Sequence, residues 1–530
     1  MKRTFRPLYL SLALAFALAS CGTQKMVSTP VENIDNLPLK TTPVAENDLK
    51  RWSHLDLVKD TVPGMSVDKA YKELIKGKKG KKVIVGIVDS GVDINHEDLK
   101  AVIWTNPKEI AGNGIDDDKN GYIDDIHGWN FLGDAVHEQL EMTRIVKKGP
   151  GTPDYDKAKA QLEEELKGIQ PQKQQLDFIL NAEKTVATFL KKSDFTLEEV
   201  KAIQSDETGV KQAKAMFTQI LSKSSKAEFD AQIEEFKDYV YGQINYNLNV
   251  EFDGRKIVGD NPNDLNDTKY GNNNVVGPEP KEAKHGTHVA GIVAQVRGNN
   301  LGGDGVTNNA EILTVRAVPN GDEYDKDIAL GIRYAVDNGA KVINGSFGKY
   351  YSQQKEWVID AIKYAESKDV LVVIAAGNES FDLDVTNKYP NDTYDGSPEF
   401  AKNVLIIGAL SPAYGSKMIA DFSNYGKNNV DIYAPGDEIY ATTPLNTYEY
   451  LQGTSMASPN VAGVATLIRS YYPSLTAIQV KQIIMESGTP LKNTVTIGED
   501  KHKANFADAS KSGRIVNAYN ALVLAAKMAK

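Results

Sequence analysis

Six continuous runs of apolar residues, separated by stretches of helical character, are the feature of this 530-residue chain that most constrains its fold. Continuous rather than alternating apolar runs are typical of strands buried on both faces, which occur in parallel sheets covered by helices. The intervening stretches 327–339 and 353–368 are long enough for crossover helices. The sequence therefore predicts an α/β fold with a mostly parallel buried sheet, whose strands lie in residues 82–88, 311–318, 341–347, 370–376, 404–410 and 430–434.

Residues 133–250 differ in composition from the segments on either side of them. They are rich in Glu, Lys, Gln, Ala and Leu and carry apolar residues at helical spacing. Thr196 with Glu199 and Ser225 with Glu228 match the capping-box pattern, in which two amide donors at a helix start are satisfied. We predict an α-helical insertion here. A solvated bundle without catalytic groups and a lid that selects substrates are both compatible with this pattern.

The amino terminus predicts export. Basic residues are followed by an apolar stretch over 8–19 that is shorter than the ~20 residues a membrane-spanning helix needs, so residues 1–20 are interpreted as a signal peptide. The stretch ends at Cys21 in a sequence that resembles the lipobox of bacterial lipoproteins. This resemblance implies a lipid on Cys21, a tether over 21–51 and an envelope location, either periplasmic or surface-exposed. An ordinary signal peptide with an incidental cysteine is the alternative.

Charge and cysteine content exclude some classes of protein. The formal net charge is −10, so there is no basic surplus for binding nucleic acid. Cys21 is the single cysteine, and no disulfide can form within the chain. An exported protein of this kind must be stabilised by its core and by any metal it binds. The oligomeric state is not indicated.

Three separate segments supply an acid, a base and a nucleophile. Asp89 ends the first apolar run, His285 begins a helix of small residues, and Ser455 opens another. An aspartate after a strand is, by itself, more often a turn or cap residue. Together the three side chains are those of an acid–base–nucleophile triad, in which the acid orients the imidazole and the imidazole activates the hydroxyl.

The position of Ser455 at a helix start has a chemical consequence. Unpaired amides at that end of a helix stabilise the oxyanion that forms when a hydroxyl attacks a carbonyl. A second donor is expected, and Asn378 follows the apolar run 370–376, although an asparagine there could simply close a turn. His96, His127 and His288 are interpreted as structural, because their local sequences give them no surroundings suited to a base.

Four segments, 88–93 (VDSGVD), 285–291 (HGTHVAG), 375–378 (AAGN) and 453–459 (GTSMASP), resemble those of the subtilisin-like serine proteases, the subtilase superfamily. The resemblance implies the subtilisin-like three-layer α/β fold over 52–132 and 251–525. It also implies that Asp89, His285 and Ser455 form the triad, that Asn378 completes the oxyanion hole, and that peptide bonds are hydrolysed through an acyl-enzyme. The order of the triad and the asparagine donor are those of subtilisin itself.

The same resemblance implies a substrate cleft with two edges that pair with an extended peptide, which predicts protein or peptide substrates and broad specificity. For Phe347, a role in the core is an open alternative. A catalytically silent envelope protein that binds peptides in this cleft is the alternative function. The implied edge residues are Ser346, Phe347, Gly348, Ala375, Ala376 and Gly377.

The loop 113–125 predicts a calcium site. Its pattern D-x-D-x-N-G-x-x-D places oxygen ligands at alternate positions, as in the first nine positions of an EF-hand loop. The full EF-hand is absent, because His127 stands at the twelfth position in place of a bidentate glutamate. We expect structural calcium, with a metal-free acidic turn as the alternative. The predicted ligands are Asp116, Asp118, Asn120, the Tyr122 carbonyl and Asp124.

Overall fold

The computed structural model describes residues 44–529. The predicted signal peptide, the lipidation site Cys21 and most of the predicted tether lie outside the described residues. Within residues 44–529, every helix is either too short or too polar to cross a bilayer.

Strands of the described chain form one large sheet and two hairpins. Their bounds are β1 (Val83–Asp89), β2 (Gly128–Asn130), β3 (Ala310–Arg316), β4 (Val342–Gly345), β5 (Leu371–Ala375), β6 (Val404–Leu410), β7 (Ile432–Pro435), β8 (Ile439–Thr443), β9 (Thr447–Leu451), β10 (Thr489–Pro490), β11 (Thr494–Ile497), β12 (His502–Asn505) and β13 (Arg514–Ile515).

The large sheet has nine strands in the order β10-β13-β7-β6-β5-β4-β1-β3-β2. Its pairs are parallel except β10–β13, and the hairpins β8–β9 and β11–β12 are antiparallel. Each of the six predicted apolar runs contributes one strand to its centre, and every residue of β5 and β6 is buried. The predicted α/β fold with a mostly parallel buried sheet is therefore confirmed.

Helices cover both faces of this sheet. Their bounds are α1 (Glu46–Leu49), α2 (Leu57–Asp60), α3 (Val67–Ala70), α4 (Glu141–Lys148), α5 (Tyr155–Leu190), α6 (Leu197–Ala202), α7 (Thr208–Leu221), α8 (Lys226–Gly242), α9 (Arg255–Val258), α10 (Lys284–Ala294), α11 (Asp325–Asp337), α12 (Lys355–Ser367), α13 (Thr454–Tyr471), α14 (Ala477–Ser487) and α15 (Ala518–Met528).

Two of these helices, α11 and α12, lie where the crossover helices were predicted, before β4 and β5. Helices α10 and α13 contact each other, and both contact β1. Because α10 carries His285 and α13 carries Ser455, this packing brings two distant parts of the chain to the same region of the sheet.

Helices α4 to α8 build a second apolar core, distinct from the core around the sheet. Its aromatic centre is Phe195, Phe217 and Phe229, whose rings meet edge to face at 5.3 and 5.2 Å. Both predicted capping boxes are formed, at the starts of α6 and α8. The segment 133–250 is therefore helical through most of its length and buries apolar side chains of its own.

Candidate active site

Asp89 and His285 are in direct contact. Asp89 ends β1 at the carboxyl edge of the sheet, and His285 lies in the first turn of α10. His285 Nδ1 is 2.6 Å from Asp89 Oδ1, which also accepts a hydrogen bond from the Ser90 amide at 2.8 Å. Gly286 permits this approach, since a Cβ there would collide with the backbone oxygen of Gly91. The structure thus brings together the first two residues of the predicted triad.

The environment of this pair favours a charged imidazole. Asp89 is 1% exposed, and its second oxygen is buried without a hydrogen-bond partner. Burial alone would lower the pKa of His285, but the charge and the hydrogen bond of Asp89 outweigh it and raise the pKa above its ordinary value. The imidazole is therefore held as a stronger base than free histidine, with one tautomer fixed by Asp89.

Ser455 is the second residue of α13, close to this pair but not bonded to it. Its Oγ donates to the Ser346 carbonyl at 3.1 Å, and Ser346 Oγ donates to the Ser455 carbonyl at 2.8 Å. Among the described residues, no hydrogen bond joins Ser455 to His285. Ser346, His285 and Asp89 line one cleft of about 340 Å³. The third member of the predicted triad is thus placed beside the cleft, with its hydroxyl turned toward Ser346.

Asn378 lies against the start of α13. Its Oδ1 accepts hydrogen bonds from the Thr454 amide at 2.8 Å and from Thr454 Oγ1 at 3.0 Å. Its Nδ2 has no partner within residues 44–529. The neighbouring Gly453 has φ +144°, a conformation that favours glycine, and a Cβ there would lie 3.5 Å from Nδ2. The side-chain amide is therefore free to donate next to the start of α13.

Each of the two predicted substrate edges consists of two buried residues followed by a half-buried glycine. Ala375 and Ala376 are buried, and the Gly377 amide donates to Thr454 Oγ1 at 2.9 Å with φ +103°. On the other edge, Ser346 and Gly348 line the cleft that His285 also lines. Phe347 lines the same cleft, but it is only 9% exposed and also belongs to the main apolar core. The interpretation as a pocket residue and the interpretation as a core residue therefore each describe part of its environment.

The other histidines of this region contact backbone oxygens. His288 is fully buried with Nε2 at 3.1 Å from the Glu449 carbonyl, and burial lowers its pKa to about 3. His96 and His127 lie 3.1 and 2.8 Å from the carbonyls of Thr447 and Trp104. These contacts agree with the structural roles predicted for all three.

Three carboxylates in and beside the predicted calcium loop lie close together. Oxygens of Glu109, Asp116 and Asp118 are within 4.8 Å of one another. Glu109 Oε1 accepts the Asp118 amide at 3.0 Å, while its Oε2 is buried without a hydrogen-bond partner. Clustered carboxylate oxygens suit a hard divalent cation such as calcium, whose charge offsets their repulsion. Glu109 was not predicted, because it lies four residues before the loop motif.

The remaining predicted ligands are arranged differently from the expectation. Asp124 is not part of this cluster, and its carboxylate accepts the amides of Gly112, Asn113 and Gly114 at 2.8, 3.2 and 2.8 Å. Asn120 Oδ1 accepts the Tyr122 amide at 2.8 Å. Asp124 therefore closes the turn through backbone amides, and the acidic cluster draws its third carboxylate from Glu109 instead.

A buried group of charges, which no sequence motif indicates, connects α4 to the substrate edge. Glu141 Oε2 lies 2.5 Å from an Arg144 nitrogen and 2.9 Å from Lys349 Nζ, and Lys349 directly follows Gly348. Lys349 also pairs with Asp325 at 3.1 Å. Because Lys349 is distant in the chain from both Glu141 and Asp325, no local sequence pattern could have indicated its ion pairs.

Several known proteins are similar in sequence to parts of this chain. The subtilase family profile matches residues 80–507. The thermophilic serine proteinase of a Bacillus species is 35% identical over 304 residues, which cover 57% of this chain and 63% of that protein. Subtilisin DY of Bacillus licheniformis is 36% identical over 216 residues, 41% of this chain and 74% of that protein.

A further relative and one solved structure have lower coverage. Subtilisin-like protease 1 of Plasmodium vivax is 31% identical over 47% of this chain and 41% of that protein. The solved structure, of proteases from Pseudoalteromonas arctica, is 31% identical with a TM-score of 0.37, over 46% of this chain and 70% of that one. The chain thus spans less than two thirds of the length of two of these relatives.

Proposed function

This chain belongs to the subtilase family, and we propose that it is a serine endopeptidase that hydrolyses peptide bonds in proteins. The observation that carries the proposal is the 2.6 Å contact of His285 with Asp89 in a cleft that is also lined by Ser346, the hydrogen-bond partner of Ser455. In this proposal Ser455 is the nucleophile, His285 is the general base and then the general acid, and Asp89 orients the imidazole and stabilises its charged form.

The reaction would proceed in two steps. The Ser455 hydroxyl turns from the Ser346 carbonyl toward His285, gives its proton to Nε2 and forms a bond to the substrate carbonyl carbon. The oxyanion accepts hydrogen bonds from Asn378 Nδ2 and the Ser455 amide, which face it without competing acceptors. His285 returns the proton to the leaving amine, and water then releases the acyl group from Ser455 by the same route.

Two backbone edges would hold the substrate. We call the space between Ser346–Gly348 and Ala375–Gly377 the primary pocket, which receives the side chain before the scissile bond. Pairing through backbone groups tolerates many sequences, so the substrates in this proposal are proteins or peptides held in extended form. Lys349 and its buried ion pairs fix the end of the first edge.

Calcium belongs to the proposal as a structural ion. Glu109, Asp116 and Asp118 would hold it, because their oxygens converge and Glu109 Oε2 has no other partner. The ion would supply positive charge that offsets three clustered carboxylates and would take no part in the hydrolysis. It would stabilise the folded state only to the extent that it binds that state.

Two parts of the proposal rest on the sequence alone. One is the lipid anchor at Cys21, with an envelope location on one face of a membrane. The other is the division of the chain into a peptidase domain, 52–132 with 251–525, and a helical insertion, 133–250. Labelling of the expressed protein with a radioactive fatty acid, lost in Cys21→Ala, is the result expected for the anchor.

Cleavage of an unstructured protein tests the activity. We expect the purified chain to fragment casein at internal bonds, and the Ser455→Ala variant to leave casein intact while its circular dichroism spectrum stays that of the wild type. A folded wild-type protein that cleaves no substrate, or a Ser455→Ala variant that cleaves as fast as the wild type, would refute the proposal. Binding of casein without cleavage would indicate the alternative function of a silent peptide binder.

A further inference from the structure

Three lysines of the described chain are almost completely buried, and one of them has no counter-ion. Lys326, Lys349 and Lys388 are exposed by 0%, 3% and 3%. Lys326 pairs with Asp260 at 2.6 Å, and Lys349 pairs with Glu141 and Asp325. Within residues 44–529, no carboxylate oxygen lies within 4.0 Å of Lys388 Nζ. Its hydrogen bond goes to the Phe347 carbonyl at 3.1 Å.

A buried ammonium without an opposite charge is unfavourable, because burial removes its hydration and nothing replaces it. Burial lowers the pKa of Lys388 to about 8, so the side chain is still largely charged at neutral pH. Uncompensated buried charges of this kind concentrate at functional sites, where a ligand supplies the missing partner.

The ammonium lies against one wall of the primary pocket. A Cβ on Gly348 would collide with Lys388 Nζ, so the charge directly adjoins the Ser346–Gly348 edge. The next residue, Tyr389, holds this arrangement in place, since its backbone exchanges two hydrogen bonds with Lys349 at 2.9 and 2.8 Å. The position of Lys388 beside the edge is thus fixed by the backbone pairing of the residue that follows it.

Two glutamates influence Lys388, but neither neutralises it through an ion pair. Glu379 accepts its hydrogen bonds from the Asn378 amide at 2.7 Å, from Tyr350 and from Asn424. Glu323 lines the cleft, and its burial raises its pKa, which disfavours the charged carboxylate. The positive charge of Lys388 therefore remains available to a third carboxylate.

We propose that Lys388 determines specificity in the primary pocket, and that this pocket accepts an acidic side chain, glutamate or aspartate, before the scissile bond. The inference rests on the proposed endopeptidase function. The substrate carboxylate would accept a hydrogen bond from Lys388 Nζ and supply the counter-ion that the folded protein lacks. An isosteric amide would leave the ammonium uncompensated, and a basic side chain would be repelled.

Matched substrates test this assignment. Two quenched fluorescent peptides differ only in Glu or Gln before one bond, and mass spectrometry confirms that this bond is cut. We expect wild-type kcat/KM to be at least about 10-fold higher for the Glu peptide. In Lys388→Met the ratio is expected to fall to about 1, because a thioether cannot pair with a carboxylate.

Lys355→Met is the matched control. Its Nζ lies over the ring of the same Tyr389, 5.8 Å from the ring centre, so the substitution removes one positive charge near the same turn but not beside Gly348. The Glu-to-Gln ratio of this variant is expected to equal that of the wild type. A ratio that falls equally in both variants would show a general effect of net charge and would contradict the assignment.

Other outcomes also decide the question. A wild-type ratio of 1 or below contradicts the inference even if Lys388→Met does not fold. A Lys388→Met variant that loses activity equally on both peptides would show that Lys388 only supports the Phe347 carbonyl. In each of these cases the wild type still cleaves peptides, whereas failure of the proposed function itself appears as a folded wild type that cleaves neither peptide nor casein.

Discussion

His285 Nδ1 lies 2.6 Å from Asp89 Oδ1, although the two residues are 196 positions apart in the chain. The contact forms where the carboxyl edge of β1 meets the first turn of α10, with Gly286 against the backbone of Gly91. The chain between the two residues includes helices α4 to α8, which have their own apolar core. A long insertion between acid and base is therefore compatible with a tightly bonded pair.

The activity should depend on pH through this pair. His285 accepts a proton only when it is neutral, and Asp89 raises its pKa, so kcat/KM should fall as pH drops through a midpoint above the ordinary histidine value of about 6.5. In Asp89→Asn the raising charge is gone. We expect its midpoint to move to lower pH and kcat to fall by about 10⁴-fold. A pH profile of kcat/KM with a midpoint that Asp89→Asn does not shift would contradict this.

Loss of the Asn378 amide should slow the chemical step. In Asn378→Asp, Oδ1 can still accept the Thr454 hydrogen bonds, but the NH₂ donor is gone. We expect kcat to fall by about 10²–10³-fold, the loss known from subtilisin, with little change in KM or in the melting temperature. Asn378→Leu, which also loses the acceptor, should in addition melt earlier. An Asn378→Asp variant with wild-type kcat would exclude this role.

Calcium should stabilise the protein through the acidic cluster. At a calcium concentration 100 times Kd, binding adds about 2.7 kcal/mol to the free energy of unfolding, so a chelator should lower the melting temperature in calorimetry. The double variant Asp116→Asn, Asp118→Asn should lose this dependence, and Asp206→Asn, a fully exposed carboxylate, should keep it. If chelation leaves the wild-type melting temperature unchanged, these residues hold no structural calcium.

Glu141 should contribute strongly to stability at neutral pH. Burial would raise its pKa, but Arg144 and Lys349 lower it to about 2. Because the folded-state pKa lies below the unfolded value of about 4.5, this contribution is full above pH 4.5 and is lost as pH falls toward 2. Glu141→Ala leaves the buried Arg144 without its carboxylate partner and removes one of the two carboxylates paired with Lys349, so it should cost about 3–5 kcal/mol in urea unfolding at pH 7.

The exposed pair of Glu163 with Lys159, at 3.7 Å, is the matched control for that measurement. Glu163→Ala should change the free energy of unfolding by no more than about 1 kcal/mol, because solvent screens both charges. Equal effects of the two substitutions at pH 7 would show that the buried group contributes no more than a surface pair.

The centre of the fold could be predicted because strands such as β5 and β6 are continuous apolar runs. Strands β2, β10 and β13, at the two ends of the sheet, could not be predicted. They have three, two and two residues, which is too few to show a hydrophobic pattern. Hairpin β8–β9 was missed because no residue of β9 is buried, so this strand lacks a continuous buried apolar run. Local pattern therefore indicates the buried sheet and not its margins.

The residues of the candidate site likewise divide into those that a local motif indicates and those that it does not. Asp89, His285, Asn378 and Ser455 stand in local motifs, so their placement could be anticipated from the sequence. The ion pairs of Lys349 and the isolation of Lys388 could not, because they depend on which distant side chains share the same buried space. Glu109 joins the acidic cluster for the same reason, through a hydrogen bond to the Asp118 amide.

Covalent labelling is the direct test of whether Ser455 is an activated nucleophile. A fluorophosphonate reacts with a serine hydroxyl only where a base activates it and donors stabilise the tetrahedral adduct. We expect a single adduct on the folded wild-type protein, mapped by mass spectrometry to Ser455 and absent from Ser455→Ala. No adduct on folded wild-type protein, or an adduct on another serine, would contradict it.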